Sequence, residues 1–260
     1  MTIDELKDVY ESGDPREAER EAAEFSRKAL RVVEPKPEDI QGAMRFYLGL
    51  RKLLDSERAN AVTIDCFPAL LARKLPAYPC IAWSRLNDEG RYGVCQAGVR
   101  ATFTQLLLTS YARVPGFVSN PVFDIERNEV QHTHCVGATR MLGFDQPASP
   151  YLVRSHTETG EGAALQVLMP AGRTATVGIF PDPRRFLVSR AEVIETVREV
   201  RGHRDADGGC RTKIRTRVGD AEKWLAGYST AVHRVVFYGD HLKGVERMGR
   251  EMGFTTIREA

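Results

Sequence analysis

Apolar and polar positions along the chain follow a mostly helical rhythm before Pro115 and a strand-like one after it. Asp14 and Pro15 precede REAEREAAEFSRKAL; an aspartate able to cap free amides and a proline suited to a first turn predict a helix there. RVVEPKP reads as a short strand and a proline-marked turn. Pro37 and Glu38 open a second helix, with Ile40, Met44, Tyr47, Leu48 and Leu54 recurring on one face. The short run AVTIDCF, residues 61–67, suits a buried strand. CIAWSRLNDEG, residues 80–90, predicts a second strand ending in a polar loop, and residues 96–111 predict a helix. This alternation implies a small parallel sheet with flanking helices, whose sites gather at the carboxyl ends of strands.

After Pro115 short apolar runs are broken by turn residues. GFVSNPVFDIERNEVQHTHCV and YLVRSHTETGEGAALQVLMPAGRTATVGIF carry this pattern, with hairpin signals at Thr159-Gly160 and Ala171-Gly172. KIRTRV and HRVVFYG continue it. A helix over 240–252 and a last strand in FTTIREA close the chain, and residues 205–209 read as a mobile loop. The expected fold class is α/β plus β: a partial Rossmann-like domain at 1–114, then an antiparallel, barrel-like domain at 115–260.

Composition narrows the function classes. Apolar residues make up 42% and charged residues 28% of 260, as in an ordinary globular protein. With 37 basic against 35 acidic side chains, the net charge of +2 gives no concentrated cationic face for nucleic acid. No apolar run nears the roughly 20 residues of a membrane helix. The acidic N-terminus has no hydrophobic signal region, so the expected location is the cytoplasm. The five cysteines are scattered without CxxC spacing, which predicts reduced thiols rather than a zinc or disulfide framework.

No GxSxG, P-loop or HExxH motif is present. His132 and His134 are two apart, so on a strand both imidazoles would share a face; the alternative is a half-exposed strand with one polar side. His233 precedes an apolar strand, as a ligand or a structural residue. Arg154, Ser155 and His156, with Thr157, Glu158 and Thr159, could hydrogen-bond a polyol or simply be a solvated strand face. Asp88 and Glu89 at a strand end could act as acid and base, or lie in a solvated turn. Asp65 beside Cys66 carries the same ambiguity.

Four blocks in order, AVTIDCFPALL, PCIAWSRLNDEGRYGVCQAGVRATFTQLLL, GFVSNPVFDIERNEVQHTHCV and HRVVFYGDH, resemble the L-fucose/L-arabinose isomerase family, from about Glu17 to the C-terminus. The resemblance implies Rossmann-like N-terminal domains, a C-terminal β-barrel and a homo-oligomer. It also implies manganese-dependent interconversion of aldoses and ketoses, with a carboxylate moving the proton. The chain begins late against that pattern, which implies a missing first domain and a pocket lid that is either absent or supplied by another polypeptide, in a homo-oligomer or a complex with a homologous subunit. Gln96 stands where the family has its first metal glutamate, and Asn120 where it has the second carboxylate. His233 matches the C-terminal metal histidine and His134 a further ligand of the arabinose branch. Two neutral amides in place of two carboxylates predict weak manganese binding or none, and leave Gln96 and Asn120 as substrate-binding groups. Asp88, Glu89 or Asp124 would have to replace the base. Three functions follow: an isomerase with shifted ligands, a metal-independent enzyme on a sugar-like substrate, and a non-catalytic partner subunit.

Overall fold

A computed structural model describes residues 2–198, 209–228 and 231–259. Most of the loop expected to be mobile, 205–208, lies outside the described residues.

Helices α1 (Ile3–Ser12), α2 (Pro15–Lys28) and α3 (Pro37–Ser56) build one side of the first half. Thr2 and Glu5 cap α1 reciprocally, and Asp14 accepts the Arg16 and Glu17 amides at the start of α2. The α3 face foreseen from the sequence is buried, with Met44 and Tyr47 fully so, and α3 lies against α1, α2 and α5. α1 was not expected, because its caps are the only strong signal in an otherwise polar segment.

The run 80–90 is not a strand. Cys80–Asp88 forms helix α5, and the parallel partner of β2 (Ala61–Ile64) is β3 (Tyr92–Cys95). Every α5 residue from Cys80 to Asn87 except Arg85 is buried. A helix covered on all sides shows no period by which to tell it from a buried strand. Gly93 permits the contact: a Cβ there would lie 2.7 Å from the Trp83 ring. Asn87 fills the open edge of β3, donating to the Gly93 carbonyl (3.0 Å) and accepting the Gly93 amide (3.1 Å). Gln105 of α6 (Val99–Ala112) donates to the same Asn87 oxygen at 2.7 Å.

The second half is dominated by a closed, six-stranded antiparallel barrel. Its strands run in the order β10 (Thr212–Arg217), β5 (Glu129–His134), β4 (Phe117–Asp124), β11 (Arg234–Tyr238), β8 (Arg173–Asp182) and β9 (Arg185–Thr196). Pairing of β10 with β9 closes it, with a bulge between Arg215 and Thr216. β12 (Thr255–Arg258) adds to β9 in parallel, after α8 (Leu242–Met252). A helix that sequence reading passed over, α7 (Ala221–Tyr228), brings Trp224 fully into the core, edge-on to His132 at 6.0 Å between ring centres.

A third sheet joins the halves. β1 (Arg31–Val32) runs parallel to β6 (Tyr151–Arg154), which pairs antiparallel with β7 (Ala164–Val167). The hairpin signal at Ala171-Gly172 therefore marks no hairpin: it links β7 to β8 in different sheets. Among the described residues no helix is long and apolar enough to cross a membrane.

Candidate functional site

The turn from β3 into α6 carries the first site residue. Gln96 and Ala97 are both left-handed, at φ 58° and 48°, a conformation that costs a side-chain-bearing residue roughly 1–2 kcal/mol. Two bonds hold it there: the Ala97 amide donates to the Ile64 carbonyl (3.0 Å) and the Gly98 amide to the Cys95 carbonyl (3.2 Å). The turn brings the Gln96 side chain to His233, whose Nε2 lies 3.0 Å from Gln96 Oε1. Strain of this kind persists where surrounding structure enforces it and often marks a working site.

His233 immediately precedes β11. Arg234 is opposite Ser119 in the β11–β4 ladder, so continuing that register sets His233 beside Asn120. Asn120 is opposite Thr133 on β5. The next residue, His134, brings its ring to 5.8 Å from the His233 ring. Three segments far apart in sequence thus converge on Gln96, His134 and His233, with Asn120 adjacent on the barrel wall.

Protonation follows from burial. His134 is 2% exposed; burial, then the neighbouring His233, pushes its pKa down to about 4. Its Nδ1 accepts the Cys135 amide at 3.0 Å, so the neutral ring carries its proton on Nε2. That Nε2 is buried and, among the described residues, has no hydrogen-bond partner. Burial lowers the His233 pKa as well. At neutral pH the site therefore offers two uncharged imidazoles and the Gln96 amide, with the Asn120 backbone alongside. A cavity of about 310 Å³ opens beside it, lined by Gln96, Val99, Arg100, Ile179, Val232 and His233, so its one charged lining side chain is a cation.

This donor set does not suit a hard divalent ion. Manganese sites rely on carboxylate charge, and none of the residues lining the cavity is acidic. Among the described residues no group of three or more His, Cys, Asp or Glu side chains is placed to hold a metal.

The other expected residues lie elsewhere. Asp88 ends α5, not a strand, and accepts the Thr139 amide and hydroxyl (both 2.7 Å) and the Arg140 amide (2.8 Å). Burial raises its pKa, opposed by those bonds. Glu89 accepts from the Tyr47 hydroxyl. Both line a different cavity, with Arg85 and Tyr151. Asp124 accepts the Arg127 amide at 3.2 Å. None of the three lines the cavity beside Gln96 and His233. His132 does not share a cleft with His134: it is fully buried between Ser119 Oγ (2.9 Å) and Thr216 Oγ1 (3.1 Å), and burial pushes its pKa down to about 3. Arg154 is committed to Glu34 (2.8 Å) and Gln166 (2.7 Å), binding β6 to the segment after β1. His156 donates its amide to Glu161 and faces Tyr78, with ring centres 5.6 Å apart. It is near enough to His134 to disfavour protonation there.

One grouping escaped sequence reading: the five scattered cysteines come together around this region. The Cys66 and Cys95 sulfurs are 2.8 Å apart, and Cys80, Cys135 and Cys210 gather about Ala164. No spacing in the chain signals this, since each arrives on a separate element. Compared with known proteins, the chain matches no family model and no curated protein.

Proposed function

We propose that this chain is a diverged relative of the fucose/arabinose isomerases that takes a sugar-like, polyhydroxylated molecule, with metal-dependent aldose–ketose chemistry altered or lost. On this reading β2 and β3 with α3, α5 and α6 are a partial Rossmann-like unit. The observation that carries the proposal is the Nε2–H of buried His134, which has no partner among the described residues and lies beside Gln96 and His233. A buried donor without a partner costs about 1–3 kcal/mol; His134 does not itself line the cavity, so a ligand hydroxyl or carbonyl oxygen would recover that cost on entering past Gln96 and His233, which do. When His233 Nε2 donates to Gln96 Oε1, its Nδ1 lone pair is the one basic site of the group. A neutral imidazole can accept a proton, which leaves room for metal-independent chemistry.

The test is manganese content and turnover of the purified protein. We expect no stoichiometric manganese and no manganese-dependent ketose formation from L-fucose or L-arabinose. Stoichiometric manganese with ketose formation would overturn the proposal. The double variant Gln96→Glu, Asn120→Asp should raise manganese affinity at least tenfold, because it returns two charges to the same positions.

A second reading, a subunit completed by another copy or a homologous chain, is favoured by the apolar rim of the cavity. Val99 is 69% and Val232 56% exposed there, with Phe103 nearby at 44%. Light scattering decides between them: a monomer at working concentration, in the absence of any partner chain, argues for a self-sufficient pocket.

A further inference from the structure

The geometry points to a redox-active dithiol at Cys66 and Cys95, able to close to a disulfide and reopen, independent of what the pocket binds. Both cysteines are free and buried, at 2% and 8% exposure, with their sulfurs 2.8 Å apart. That separation is well inside ordinary sulfur–sulfur contact, though longer than the roughly 2.05 Å of an S–S bond. The backbone enforces it. β2 and β3 run in parallel with Ile64 opposite Cys95. The Ala97 amide straps the β3 end back to the Ile64 carbonyl at 3.0 Å. Two residues past Ile64, Cys66 turns into α4 (Cys66–Leu71) and meets Cys95 across the paired strand ends.

Among the described residues no third His, Cys, Asp or Glu stands with this pair as a metal site would require. An S–S bond is therefore the chemistry the pair is placed for. With hydrogen peroxide as oxidant, one thiolate attacks a peroxide oxygen, forming a sulfenic acid and releasing hydroxide, which takes up a proton to become water. The second thiol attacks that sulfur; the S–S bond forms, the S–O bond breaks, and the second water leaves with the remaining proton. Two electrons pass from the sulfurs to the peroxide. The bond would fasten the turn that presents Gln96, since Cys95 immediately precedes it.

The experiment treats the reduced, intact protein with one equivalent of peroxide, alkylates the remaining thiols under denaturing conditions and maps the peptides. We expect two of the five thiols to be lost, one cross-linked peptide joining Cys66 to Cys95, and full recovery with dithiothreitol. Cys66→Ser and Cys95→Ser should each form no intramolecular disulfide at the same dose, the surviving cysteine of the pair stopping at a dithiothreitol-reversible, dimedone-reactive sulfenic acid at most. Five alkylated thiols after treatment would overturn the assignment. So would a cross-link among Cys80, Cys135 and Cys210, or sulfinic acid on Cys66 or Cys95 in place of the bond. The wild-type map decides even if a variant does not fold.

Discussion

Single residues here are governed by what burial does to polar groups. His132 and His134 have their pKa values pushed down to about 3 and about 4 by desolvation, against an ordinary value of 6.5. The unfolded chain then binds more protons than the folded one below pH 6.5, so the stability these residues carry is present above that pH. It is lost as pH falls toward 4 and then 3. One pKa unit is about 1.4 kcal/mol, so urea denaturation should show a loss of about 2 kcal/mol between pH 6 and pH 5. Stability that is flat across that interval would contradict neutral, buried imidazoles. The sequence marked both histidines by their strand spacing, and it marked Gln96 and His233 through the family resemblance. It could not show that the two strand histidines part company. His132 is satisfied within the barrel by Ser119 and Thr216, whereas His134 ends its strand and reaches His233. That distinction depends on where β5 stops.

At the scale of elements, legibility followed burial. Helices α2, α3 and α8 and strand β11 could be read because they have caps, a one-sided apolar face or β-branched runs. Helix α5 could not, because its neighbours cover it all round, and β3 was hidden behind it. The junction of those two elements is held by Asn87, whose amide satisfies both backbone groups of Gly93 and receives Gln105. Asn87→Ala would strand these buried groups, and each unsatisfied one costs about 1–3 kcal/mol. We expect a loss of about 2–4 kcal/mol by chemical denaturation, with the parallel pair β2–β3 loosened first in hydrogen exchange. A loss below about 0.5 kcal/mol would show that the edge of β3 is not held by this side chain.

For the whole molecule, the fold depends on contacts between distant parts of the chain, which no local pattern reveals. Barrel closure pairs β10 with β9 across a bulge, and β1 crosses from the first half to join β6. Two buried arginines fasten long-range junctions, the first at β1–β6 and the second between β11 and the segment after β12. Arg154 binds Glu34 beside β1, and Arg234 of β11 binds Glu259 just past β12 at 2.6 Å, with both side chains nearly fully buried. Burial raises the Glu259 pKa, with Arg234 opposing it. Removing one partner of such a pair leaves a charge buried without compensation, typically at about 3–5 kcal/mol. Glu259→Ala should therefore destabilise the entire barrel by that order in equilibrium unfolding, although it lies at the edge of the fold. An effect limited to fraying of β12, with the main transition unmoved, would show that the pair only anchors the last strand.

We propose that Gln96, His134 and His233 bind a polyhydroxylated ligand without a divalent metal. The most direct measurement is the long-range proton–nitrogen spectrum of the histidine rings, recorded in EDTA while L-fucose, L-arabinose and their alditols are titrated. We expect His134 Nε2 and the His233 nitrogens to shift in a saturable way with at least one of these ligands, while His132 stays fixed. Unchanged His134 and His233 resonances throughout the series, or shifts that appear only after manganese is added, would contradict it.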